Sequence, residues 1–273
     1  MPGDEAAAEG AAPVVDGHAH VFNRATPLAA DAHARPDYDY AVEDWLADMA
    51  RHGLHYGVIA AASLHGDHND HILSALAAYP DRLRGTVILP PDADARRLRD
   101  LARRGVVGVR LTWRRLAGLP DPRADPWRSH LHALADAGLH VELLAGNDDL
   151  PVLLPALAES GVRVVVDHFG VPGRDAGAHG EGMEALLRAI DRGGTWVKIS
   201  AGFRMAFETA RDCAVRLLAE AGTERLIWGS DAPFVNHEGS VDYAAALALY
   251  HRLVPDAAAR HAIDRTALDL YFT

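Results

Sequence analysis

Cysteine is nearly absent. Cys213 is the only one in 273 residues, which excludes an intramolecular disulfide and any zinc cluster built on cysteines. Its setting, FETARDCAVRLLAEAG, is helical, and there it reads as a small packed residue rather than a nucleophile. No stretch approaches the ~20 consecutive apolar residues of a membrane helix. The opening, MPGDEAAAEGAAP, has neither the basic head nor the apolar run of a secretory leader or anchor. The expected location is the cytoplasm, with no membrane partner. Positive charge is also scarce: 27 Lys and Arg stand against 38 Asp and Glu, a formal net charge of −11. That balance excludes a general nucleic-acid binder, whose phosphate contacts need basic residues. Residues 1–13 read as a flexible tail, and no linker rich in Pro, Gly or Ser divides residues 14–273, which are expected to form a single domain.

From residue 14 onward, short apolar runs alternate with helical stretches. The strand candidates are PVVDGHAH, YGVIAAAS, RGTVILP, VVGVRLT, LHVELLA, VRVVVDH, TWVKIS and RLIWGSD. They are rich in β-branched residues and nearly continuous in hydrophobicity, as parallel strands buried on both faces must be. Between them lie stretches of helical spacing such as AVEDWLADMARHG, DARRLRDLARRG and EALLRAIDRGG, several ending in a glycine that suits a helix C-terminus. Eight such units in about 270 residues predict an α/β fold, a (β/α)8 TIM barrel. The competing open sheet would place a Gly-rich phosphate turn after an early strand, and here the first strand ends in HAH.

A barrel collects chemistry at the C-terminal ends of its strands. Asp16, His18 and His20 are spaced by two, so the strand period puts them on one face. His168 closes VVVDH. Asp231 closes LIWGSD before Ala232 and Pro233. Two imidazoles at i and i+2 can hold one metal ion or polarise one carbonyl; one of them could instead be a hydrogen-bonded core residue. A carboxylate at the eighth strand's end can activate water, ligate a metal, or simply cap a helix. Trp113, Arg114 and Arg115 read as a loop at the barrel mouth, and Lys198, in mid-strand, as structural.

The pattern HxH on the first strand, DHFG on the sixth and WGSDAP on the eighth resembles the amidohydrolase superfamily, and within it the lactonases and decarboxylases related to 2-pyrone-4,6-dicarboxylate lactonase. The resemblance runs from DGHAHVF to the C-terminus. It implies a hydrolase that opens a carboxylated or sugar-acid lactone. His18, His20 and His168 would surround the scissile carbonyl and Asp231 would activate water. Arg110 in GVRLT and Arg204 in KISAGFR would bind substrate carboxylates, with Ser63, His65 and Asn69 forming a polar loop beside the substrate. A buried salt bridge is the alternative for Arg110. One divalent ion, zinc or manganese, could be held by His18, His20, His168 and Asp231, or the centre could work without metal as lactonases of this branch can. Metal-binding strand-four or strand-five residues of the superfamily are missing: His140 starts its strand at the wrong end, and Glu142 could face inward for ligation or for a buried ion pair. Two bridged ions are therefore not expected. Leu144 stands where the resembled lactonases carry a tyrosine. A metal-dependent decarboxylase, a lactone isomerase and a catalytically silent binder of small anions are the other readings.

Overall fold

The structure, a computed structural model, describes residues 13–173 and 176–273; the N-terminal tail lies almost wholly outside them. Eight parallel strands follow one another in sequence order around a single sheet: β1 (Val15–Ala19), β2 (Tyr56–Ile59), β3 (Leu83–Val87), β4 (Val106–Thr112), β5 (His140–Leu144), β6 (Val164–Val166), β7 (Thr195–Ser200) and β8 (Leu226–Gly229). Helices cover the outside, and the expected (β/α)8 barrel is what forms. The glycines after the helical stretches do end helices: Gly53, Gly105 and Gly138 all have φ between 74° and 89°, a region closed to most other residues.

The barrel closes where β1 meets β8. No ladder joins these strands, but the amide of Asp231 donates to the carbonyl of His18 at 2.8 Å. The approach is tight enough to demand glycine on both sides. A Cβ on Gly17 would lie 2.6 Å from the Trp228 carbonyl oxygen, and one on Gly229 would lie 2.5 Å from the His18 Cβ.

The shared face of Asp16, His18 and His20 is not kept. The β1–β2 register shifts between Asp16 and Ala19, and this irregularity turns Asp16 away from the mouth. Its carboxylate accepts from Trp45 Nε1 (2.9 Å), the Ser230 amide (2.8 Å), Ser230 Oγ (2.6 Å) and Tyr243 Oη (2.8 Å). Asp16 is thus a clamp between the first and last strands, not a member of the centre.

Among the described residues the core has three parts, the smallest made by Phe22, Leu64 and Val235. Val15, Val58, Val165 and Ile227 plug one end of the barrel, while a larger cluster fills the layer between strands and helices. Above the plug the interior is charged, which an apolar barrel would not need and which prepares the site.

Candidate active site

His18, fully buried, and His20 extend from the end of β1; His168 follows β6 and Asp231 follows β8. Their side chains converge. The Nε2 atoms of His18, His20 and His168 lie 3.6, 3.4 and 4.0 Å from one atom, Asp231 Oδ1. The other oxygen, Oδ2, accepts from Arg204 Nε at 2.7 Å. Both His168 (φ 52°) and Asp231 (φ 63°) sit in the left-handed backbone region, a strain of about 1–3 kcal/mol each that surrounding contacts must hold.

Beneath this centre is an electrically balanced cluster. Arg110 donates from Nε and Nη2 to Asp167 Oδ2 (3.0 and 2.8 Å) and from Nη1 to the Ala61 carbonyl (2.7 Å), and its Nε lies 2.9 Å from Glu142 Oε1. Lys198 Nζ donates to Glu142 Oε2 at 2.6 Å and lies 3.4 Å from Asp167 Oδ1. It also lies 2.9 Å from His18 Nδ1. Two cations and two carboxylates, none more than 3 % exposed, neutralise one another; removing any one would strand a buried charge. The ion-pair reading of Arg110 is the one realised, although its side chain also reaches the cavity wall.

These surroundings set the proton affinities. Burial opposes ionisation of Asp231, but His168, a hydrogen bond from His20 and the Arg204 guanidinium together hold its carboxyl well below the usual carboxylate range. Asp167 is likewise held low by Arg110 and Lys198 in spite of its burial. Burial pushes His168 down to about 4 against the pull of Asp231. His18 is driven well below the ordinary histidine value by burial and then by the neighbouring Lys198 ammonium. At neutral pH the carboxylate is a base and these two imidazoles are neutral.

The centre forms the floor of a cavity of about 230 Å³, walled by His20, Ser63, Arg110, Leu144, His168, Arg204 and Asp231 and, from the loop after β4, by Arg114 and Arg115. This is below the ~300–1,000 Å³ of drug-sized sites and suits a single small ring. Of the expected polar loop, only Ser63 reaches the cavity. His65 is buried with Nδ1 on the Pro27 carbonyl (2.8 Å). The Asn69 amide is spent on backbone, donating to the Asp67 and Ile88 carbonyls at 2.9 Å each and accepting from the Ile88 amide at 3.1 Å. Both shape the loop from behind. Arg114 and Arg115 were legible as a basic loop at the mouth but not as cavity walls. Asp167 carried only its place beside His168 in the DH pair.

Metal capacity turns on His18. One ligand atom each from His18, His20 and Asp231, or from His18, Asp167 and His168, fall within 4.8 Å of one another. The 3.4–4.0 Å separations around Asp231 Oδ1 approach the roughly 3.3 Å between ligand atoms on a tetrahedral ion with bonds near 2.0–2.1 Å. Spacing therefore fits one divalent ion. Proton inventory does not. An ammonium has only protons to give, so Lys198 makes His18 Nδ1 the acceptor, and neutral His18 then carries its proton on Nε2. Neither nitrogen is left for an ion, and both groupings need His18.

A parallel eight-stranded barrel with a carboxylate and three imidazoles at its C-terminal mouth is the architecture of a hydrolytic enzyme class. A sequence profile of the amidohydrolase family matches residues 15–272, and the chain belongs to that family. A 4-sulfomuconolactone hydrolase of Rhizobium radiobacter is 29 % identical over 263 residues, covering 91 % of this chain and 86 % of the relative. Among solved structures, a Pseudomonas putida protein provisionally assigned as a 2-pyrone-4,6-dicarboxylic acid hydrolase is 37 % identical with a TM-score of 0.88, over 95 % of this chain and 97 % of its own. An Acinetobacter baumannii protein with the same provisional assignment, crystallised with citric acid bound, is 29 % identical with a TM-score of 0.90, over 96 % and 100 %. No helix among the described residues is long and apolar enough to cross a membrane.

Proposed function

We propose that this enzyme is a lactonase that opens a small carboxylated lactone, with residues 14–273 acting as one catalytic unit. The observation that carries the reading is the convergence of three imidazole Nε2 atoms on Asp231 Oδ1 at the floor of an arginine-walled cavity. Water beside Asp231 gives up a proton to Oδ1 as its oxygen attacks the lactone carbonyl. His18 and His168 donate from Nε2 to the developing oxyanion. His20 has a different part. Its Nδ1–H donates to the Ala60 carbonyl at 2.8 Å, which leaves Nε2, 3.4 Å from Asp231 Oδ1, to hydrogen-bond that carboxylate and share the proton it takes. The C–O bond of the tetrahedral intermediate then breaks, and the proton passes to the departing ring oxygen.

Arg204, Arg114 and Arg115 supply planar, bidentate recognition of substrate carboxylates. Carboxylates fit this wall, as does the citric acid held by the Acinetobacter relative. Arg110, bound to Asp167 and Glu142, is assigned to support of the wall rather than to first contact. Zinc or manganese is given no step here, for the reason His18 provides. The test is a panel of lactones with and without carboxylates, followed by proton release with metal-depleted protein. The expected result is turnover of carboxylated lactones alone; turnover confined to metal-loaded protein, or no ring opening at all, refutes the proposal.

A further inference from the structure

Lys198 is the only lysine in the sequence; every other basic side chain among the 27 Lys and Arg is arginine. A composition so committed to arginine keeps its single ammonium at a fully buried position, at the heart of the barrel. An arginine there would bring a planar fork in place of a compact point charge.

We propose that Lys198 is a positioning residue that fixes the tautomer of His18, keeping Nε2 protonated as a donor to the reaction centre and denying His18 to metal ions. The proposal rests on the assignment of His18 to the site described above, but not on the substrate. Three observations carry it. First, Lys198 Nζ is 2.9 Å from His18 Nδ1 and 2.6 Å from Glu142 Oε2, and with Asp167 Oδ1 at 3.4 Å two carboxylates flank the ammonium. Second, the rival partner for a proton on Nδ1 is that same Asp167 Oδ1, 3.3 Å from Nδ1. This contact is longer than the 2.9 Å from Nδ1 to Lys198 Nζ, so the ammonium is the better-placed partner. Third, His18 Nε2 is buried without any hydrogen-bond partner. A bare donor aimed at the carboxylate that receives the water proton is costly to bury, and is accounted for if an oxyanion or a water is its partner during turnover.

The consequence is a metal-selective switch in one hydrogen bond. Histidines that ligate metals usually donate their second ring N–H to a carboxylate or carbonyl, which exposes a lone pair on the other nitrogen. His18 receives a proton where such a histidine would donate one. Without the ammonium, Asp167 becomes the natural acceptor for Nδ1–H, Nε2 loses its proton, and His18, His20 and Asp231 become three ligands at ion-binding distances.

Two measurements test this. Neutron diffraction of the deuterated wild-type protein at neutral pD reads the proton directly. Deuterium on His18 Nε2 and none on Nδ1 is expected; deuterium on Nδ1, or on both nitrogens, overturns the assignment. Equilibrium dialysis against zinc then compares wild type with Lys198→Met and with the charge-balanced double variant Lys198→Met/Glu142→Gln. The fold of each is checked by circular dichroism. Whichever variant folds should bind zinc at least ~10-fold more tightly than wild type, the lower end of what outer partners of metal ligands control. Equal affinity in a folded variant overturns the metal-exclusion role. If neither variant folds, the neutron result alone decides the tautomer on which that role depends.

Discussion

Replacing Asp231 by Asn separates a water-activating base from a helix cap. Asn keeps the side chain's volume, and its carbonyl oxygen can still accept from Arg204 Nε in place of Oδ2, 2.7 Å away. The backbone at this position, φ 63°, is one that Asn tolerates better than most residues, so the strain is not worsened. What is lost is the ionic part of the Arg204 contact. Arg204 is 31 % exposed, so solvent screening limits the loss to about 1 kcal/mol, a fall in Tm of ~2–4 °C for a chain of this size. Catalysis should suffer far more. An amide cannot take the proton of water, and a general base contributes about 10²-fold or more, equivalent to ~2.7 kcal/mol of barrier. With carboxylated lactones, kcat should fall by at least ~10²-fold while KM stays within about threefold, because the arginine wall is untouched. A folded Asp231→Asn enzyme with kcat within about threefold of wild type would refute the mechanism and leave Asp231 a structural residue.

Arg110→Met should strand Asp167 and Glu142 with Lys198 as their one strong partner, lowering stability by about 3–5 kcal/mol; a thermal melt at the wild-type Tm would contradict the buried-cluster account. Arg204→Met should raise KM for carboxylated lactones by ~10-fold or more and leave uncharged lactones little changed. Because Arg204 also helps to depress Asp231, the acid limb of kcat/KM should move to higher pH; an unmoved limb counts against that coupling. Stability itself should fall on acidification. Burial holds His71 and His168 at about 4 and His140 at about 3 in the folded state and drives His18 well below the ordinary histidine value, so below the unfolded value near 6.5 the unfolded chain takes up four protons that the native one refuses. Asp264, raised by burial to about 6, works in the opposite sense with one proton. The histidines outweigh it, so stability should fall as pH drops from 6 to 4, by about 1.4 kcal/mol per pH unit for each net proton, measurable by urea unfolding; stability flat over that range would contradict the neutral burial of these histidines.

The barrel was legible because its strands are buried on both faces, and such strands announce themselves as Val- and Ile-rich runs closed by glycine-ended helices. His18, His20, His168 and Asp231 were legible for a related reason: strand ends are few, and polar residues there stand out against apolar runs. The departures have separate origins. Strand periodicity assumes an unbroken ladder, and the register shift after Asp16 sends that carboxylate to Trp45 and Tyr243 instead of the mouth. Asn69 and His65 looked like substrate contacts because sequence shows which groups are polar, not which backbone atoms already claim them. The Arg110–Asp167–Glu142–Lys198 cluster draws on four strands or their ends, and pairing across strands cannot be read from any one of them.

The seam between β1 and β8 has a consequence for how activity appears during synthesis. The Asp16–Ser230 clamp joins residues 214 positions apart, and Asp231 reaches the histidines of the first strand only when that clamp is set. A nascent chain, or a folding intermediate holding the first seven strands, has both imidazoles of HAH but no base beside them. Ring opening is therefore a late property of the folding chain, acquired when its two edges meet, and recovery of turnover after dilution from denaturant reports the final closure rather than the earlier growth of secondary structure.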